Sequence, residues 1–170
     1  MIDDEIPKPD LIPRELPWSR ECFVCGSENA LGLQLRARVE GDLVVLDHVT
    51  GAGHQGWQGI LHGGVTTALA DEVMTWAAIL ACRRACVSAE ISVRMLRQIG
   101  LGVRLRVEGL AEPGARRRLV RTSARILDED GVPLATATGK YMPPPGQRLD
   151  LDSAGFTFEP STQWVADLLR

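Results

Sequence analysis

Only one stretch of this chain repeats at a helical period, and most of the chain beyond it alternates. Within residues 65–81, Val65, Leu69, Val73, Trp76 and Leu80 share one arc at about 100° per residue, as in a helix burying one side against a sheet. In VSAEISVRM, residues 87–95, Val87, Ala89, Ile91, Val93 and Met95 alternate with Ser88, Glu90, Ser92 and Arg94, which is the period of a strand. VRLRVEGL alternates again, and RLVRTSARIL and VPLATATGKYM flank DEDG, a hairpin signal. Ahead of the helix, residues 33–39 and 42–49 read as two strands with EGD as the turn.

The order is two strands, one long helix, then four strands joined by short turns. One helix and a long antiparallel sheet bury each other only if the sheet curls around the helix. The expected class is therefore α+β: a hot-dog fold, a curled antiparallel sheet around one long central helix. Residues 1–21 form an expected extended arm, rich in proline and without a period, packing through Ile12, Leu16 and Trp18. The hot-dog domain is expected over residues 22–142. Residues 143–170 form a tail in which STQWVADLLR is a candidate short helix.

Apolar residues make up 45 % of the chain, enough for a real core. No uninterrupted apolar run approaches the length of a membrane span. The acidic opening MIDDEIPKPD lacks the apolar region of a signal peptide, so a cytoplasmic protein without membrane contact is expected. A net charge of −3 argues against a nucleic-acid partner. The basic run in residues 104–125 suits a small phosphorylated ligand better than a polyanion. Cys22 with Cys25, and Cys82 with Cys86, could join as four zinc thiolates. The long separation of the pairs puts ordinary packing first, and no metal is expected.

The loop TGAGHQGWQGILHGG runs straight into the helix. The first N–H groups of a helix lack intrahelical partners and sit at the positive end of its dipole. Gly63 and Gly64 have no side chain to shield those groups, so a developing oxyanion could approach them. His62 could steady the loop or donate to a substrate. A plain loop-to-helix turn would explain the glycines by themselves. Asp71 shifts that balance, because it lies opposite the apolar arc with Thr67 and Thr75 four residues to either side. It could act as nucleophile or as a base for water positioned by Thr75, with Glu72 as the rival carboxylate. His54 and Trp57 fit the active-site loop or ordinary packing equally well. Eight residues of helix put Gly63 and Asp71 roughly 12 Å apart, too far to serve one carbonyl. Antiparallel helices meeting across a dimer would pair Gly63 of one chain with Asp71 of the other.

Over residues 22–142 the sequence resembles the hot-dog acyl-CoA thioesterases of the 4-hydroxybenzoyl-CoA and phenylacetate-pathway type. CFVCGSENALGLQL, HQGWQGILHGGVTTALADE, SAEISVRMLRQI and RILDEDGVPLATATGKYM resemble family segments in family order. The resemblance implies that Asp71, nine residues after His62, is the catalytic carboxylate and that Gly63 supplies the oxyanion N–H. It further implies that Thr75 holds water, that Ser88 lies near the thioester, and that Arg116, Arg117 and Arg118 take coenzyme A phosphates. Relatives often carry an amide residue six positions before the His; here Gly56 stands there, with Gln55 and Gln58 nearby. Gln98 stands where relatives often have proline. The implied function is acyl-CoA thioester hydrolysis by a homodimer or a dimer of dimers, with coenzyme A as part of the substrate and no cofactor. A non-catalytic acyl-CoA binder is the alternative. A hot-dog hydratase or dehydratase and a zinc-bound interaction module rank lower.

Overall fold

A computed structural model describes residues 13–113, 119–144 and 155–169. In chain order the elements are β1 (Arg14–Glu15), β2 (Trp18–Ser19), β3 (Ala37–Glu40), β4 (Leu43–Val49), a 3-10 turn (Ala52–His54), α1 (Gly63–Cys82) and β5 (Val87–Met95). They continue with β6 (Arg104–Ala111), β7 (Val120–Leu127), β8 (Pro133–Met142), β9 (Phe156–Thr157) and α2 (Gln163–Leu169). Seven strands form one antiparallel sheet in the order β1-β3-β4-β6-β7-β8-β5, and α1 packs against its central strands. This is the hot-dog fold.

The alternation of the sheet strands decides which side chains meet the helix. Leu105 and Val107 on β6, Val120, Thr122, Ala124 and Ile126 on β7, and Ala135, Ala137 and Tyr141 on β8 are all buried. The opposite face carries an ion ladder. Arg106 bonds both Glu40 and Glu108, Arg125 bonds Glu108, and Arg38 bonds Glu40 and Asp47. Two arginines of the basic run are thus tied to carboxylates and do not form an open anion patch.

Helix α1 is buried more widely than one arc requires: Thr66, Ala70, Met74, Ala77 and Ala78 are as covered as Leu69 and Val73. The sheet covers much of it, and Phe156 closes over Trp76 in an edge-on ring contact at 5.6 Å. By length and composition α1 is long and apolar enough to cross a membrane, which counting uninterrupted apolar residues misses, but most of it is buried within the fold. It ends at Cys82, where Arg83 turns left-handed at φ 55. Cys86 therefore lies beyond the helix, its sulfur 3.3 Å from that of Cys82.

Residues 33–36 are not a strand. Gln34 adopts φ 52, and the Leu33 and Leu35 N–H groups bond the carbonyls of Phe23 and Val24 instead of a sheet neighbour. Two segments distant in sequence meet, since β2 pairs with β9 and Trp164 donates from Nε1 to the Glu15 carbonyl at 3.0 Å. Leu16 is buried beneath this seam, and Arg14 stacks over the Trp164 ring. Ile12 lies outside the described residues. Strand β5 forms one edge of the sheet and is largely exposed along its length.

Candidate active site

The loop before α1 is arranged around its N-cap. His62 takes an extended conformation, and its Nδ1 accepts from the Gly64 N–H at 2.8 Å. In the neutral ring the proton is then on Nε2, which points a donor away from the helix. The Gly64 N–H is therefore engaged within the chain, whereas the Gly63 N–H has no acceptor among the described residues. Thr67 donates to the Gly63 carbonyl at 3.0 Å.

Gly56 packs directly on His62. A Cβ at position 56 would lie 3.1 Å from the His62 Cα and 3.3 Å from its Cβ, so a larger residue there would have to displace the cap. Gln55 does not extend outward. Its Oε1 accepts from the Gly59 N–H at 2.8 Å and braces the loop. Gln58 and Trp57 are exposed. His54 stands 5.0 Å from the His48 ring and caps the 3-10 turn, so its role here is structural.

Two turns along α1, Asp71 is gripped on one oxygen. The Tyr141 hydroxyl donates to Oδ1 at 2.8 Å and the Thr75 hydroxyl donates to the same atom at 3.3 Å. Oδ2 has no partner among the described residues. Thr75 thus orients the carboxylate itself. Burial, and then the charge of Asp71, push the Tyr141 phenol well above its ordinary value, so it stays protonated and keeps donating.

Spacing along the sequence does not single out Tyr141, though a signal is there. Ala135, Ala137, Gly139 and Tyr141 occupy alternate, inward positions of β8, three small residues leaving room for one large one. Gly139 is required by that packing: a Cβ there would sit 2.5 Å from Tyr141 Cε2.

Glu72 faces a different neighbourhood. Trp76 Nε1 donates to its Oε1 at 3.3 Å, and its carboxylate groups with the sulfurs of Cys22 and Cys25. Burial pushes its pKa up to about 7. The hydrogen bond from Cys25 lowers Cys22 to about 5, and the same bond, with burial, raises Cys25. Ser88 is exposed on β5, in register with Tyr141 across β8. Arg116, Arg117 and Arg118 lie outside the described residues.

A central helix with a glycine-opened N-terminus and a carboxylate two turns inside a curled sheet defines a class, and comparison with known proteins agrees with it. Residues 58–135 match the model of the thioesterase superfamily. A solved thioesterase superfamily protein is 26 % identical, with a TM-score of 0.64; the match covers 72 % of this chain and 60 % of that one. This chain therefore spans less than two thirds of that relative. A mutant of the phenylacetic acid degradation protein PaaI from Thermus thermophilus matches with 24 % identity, TM-score 0.59, over 66 % of this chain and 95 % of that one. A Streptococcus mutans protein bound to acetyl CoA shares the fold at 19 % identity and TM-score 0.55, over 59 % of this chain and 80 % of that one. No curated protein matches the sequence.

Proposed function

We propose that the protein is an acyl-CoA thioesterase, active as a homodimer in which each site takes Asp71 from one chain and the Gly63 N–H from the other. The observation that carries this reading is the grip on Asp71, with Oδ1 fixed by Tyr141 and Thr75 and Oδ2 left for chemistry. The match of residues 58–135 to the thioesterase superfamily model and the coenzyme A derivative in a structural neighbour support the substrate class.

In the general-base route, Asp71 takes a proton from water as the oxygen adds to the thioester carbonyl carbon. In the nucleophilic route, Oδ2 itself adds and forms an anhydride that water then opens. In both, negative charge develops on the carbonyl oxygen and is met by the partner's Gly63 N–H and the positive end of that helix. Collapse breaks the carbon–sulfur bond. In the base route it releases the carboxylic acid, and the sulfur takes the proton that Asp71 removed from water. In the nucleophilic route it leaves the anhydride, whose opening by water releases the acid and supplies the sulfur's proton. His62, next to Gly63 in the chain, has its Nε2–H available to donate to the incoming carbonyl. The edge strand β5 and its exposed Val87 and Met95 support the pairing of two chains along that side. A cytoplasmic enzyme with no further cofactor fits this reading.

The test is hydrolysis of short, medium, long and aromatic acyl-CoAs by wild type and Asp71→Ala, scored as released thiol with folding checked. Turnover by wild type and a loss of at least about a hundredfold in Asp71→Ala, about 2.7 kcal/mol of barrier, sustain the assignment. Full activity in the variant moves the role to Glu72. Binding without thiol release by wild type makes the protein a non-catalytic acyl-CoA binder.

A further inference from the structure

Nothing in the proposed reaction uses Cys22, Cys25 or Glu72, yet the fold brings these three donors together. We propose that Cys22 Sγ, Cys25 Sγ and the Glu72 carboxylate bind one zinc ion, stapling residues 20–36 to the central helix. This goes beyond the thioesterase reading and does not depend on it.

The three ligand atoms all lie within 4.8 Å of one another. Two sulfurs bound to a single tetrahedral zinc stand about 3.7 Å apart, from Zn–S bonds of about 2.3 Å, so small side-chain rotations close the set. Two thiolates and a carboxylate suit zinc better than the hard cations magnesium and calcium.

The turn is built to present both thiols. The Val24 N–H points at Cys22 Sγ at 3.3 Å, and the Gly26 N–H bonds the Cys22 carbonyl at 3.0 Å. A Cβ at position 26 would lie 2.4 Å from that carbonyl oxygen and 2.7 Å from the Arg20 oxygen. The chain can fold back on itself this tightly only with glycine there. Outer contacts hold the frame: Leu33 and Leu35 donate to the Phe23 and Val24 carbonyls, and Arg36 reaches the Cys25 carbonyl. Trp76 Nε1 donates to Oε1 of Glu72 and orients the carboxylate. Such outer partners orient ligands in established metal sites.

Residues 20–36 contain no helix or strand, so they rest on loop hydrogen bonds and on this turn. On binding, each thiol releases one proton to solvent while Glu72 enters as the carboxylate, and the fourth position of the tetrahedron goes to water. Cys82 and Cys86 touch each other but have no third donor of this kind among the described residues, which makes them an internal control.

The experiment is zinc content of the full-length reduced protein, purified from zinc-supplemented cells, together with the absorption spectrum after cobalt substitution. The expected result is about one zinc per chain, a thiolate-to-cobalt band, zinc lost in Cys25→Ser and retained in Cys82→Ser, and affinity weakened about 10–100-fold in Glu72→Gln. Wild type that holds no zinc and shows no thiolate band overturns the proposal. So does full zinc retention in Cys25→Ser, or a Cys22–Cys25 disulfide that persists in reductant. If Cys25→Ser does not fold, the cobalt spectrum of Cys82→Ser decides, because the band requires thiolate ligation and that variant breaks the other cysteine pair.

Discussion

Asp71 presents two oxygens with different tasks, one clamped and one open, and the clamp rests on residues far away in sequence. Removing the phenol in Tyr141→Phe leaves Thr75 as the sole donor to Oδ1. We expect kcat to fall about tenfold with KM little changed, and stability to drop by about 1–2 kcal/mol, read from steady-state kinetics and urea unfolding. Gly139→Ala drives a methyl group into the same ring. Overpacking of this kind costs about 1–3 kcal/mol, and because the ring carries the hydroxyl, activity should fall further than in Tyr141→Phe. Equal activity in Gly139→Ala and wild type would show that the ring is not held by this packing. The sequence makes Asp71 legible because helical spacing relates it to Thr67 and Thr75. Tyr141 is hidden because its bond to Asp71 spans 70 residues, and no local period encodes a contact between a strand and a helix. The different surroundings of Asp71 and Glu72 are hidden for the same reason, since they depend on which loop covers each side of α1.

Among the elements, α1 offers a clean way to delete a single hydrogen-bond donor. Gly63 is the first residue of the helix, a position that tolerates proline, and His62 before it already has φ −66 and ψ 132, as a residue preceding proline prefers. Gly63→Pro should therefore keep the fold while removing the N–H, with kcat reduced by about 10²–10³ and the melting temperature nearly unchanged. A wild-type rate in that variant would take the oxyanion role away from Gly63.

The sheet makes a separate prediction through its ion ladder. Burial opposes ionisation of Glu108, but the hydrogen bonds from Arg106 and Arg125 outweigh it and hold the carboxyl below its ordinary range. At Glu40 the hydrogen bond from Arg106 acts in the same direction, helped by Arg38. Both groups lose protons more readily folded than unfolded. Their stabilisation is therefore complete above the ordinary carboxylate pKa, 4.5, and disappears as pH falls through the lower folded values. Urea midpoints should drop between about pH 6 and about pH 3.5, and Glu108→Gln should flatten that slope. The strands themselves are legible from alternation, and α1 from its arc. Residues 33–36 misread as strand because Leu33 and Leu35 alternate correctly for burial while their N–H groups bond the cysteine turn; side-chain pattern reports burial, not the backbone partner.

For the whole molecule, the shared-site reading predicts complementation. Asp71→Ala and Gly63→Pro chains should each be nearly inactive alone. Co-expressed, half of the dimers are mixed, and each mixed dimer has one site with both lesions and one with none, so about a quarter of wild-type activity should return. If activity stays at the level of the separate variants, each site is complete within one chain. Light scattering on the same samples reports whether dimers form at all. In the sequence, distance alone raises the expectation of a partner, since eight residues of helix cannot fold back on themselves.

The seam between β2 and β9 bears on the order in which segments of the chain can settle. Strand β2 pairs through Trp18 with Thr157 of β9, and Arg20 donates to the Gly155 carbonyl. A chain emerging from the ribosome can assemble α1 and the sheet strands through β8 while its opening segment still has no β9 to meet. That segment, with the cysteine turn next to it, gains these bonds only once residues 155–157 are in place. A chain cut off before residue 155 would thus keep the sheet strands through β8 while β2 has no β9 to pair with.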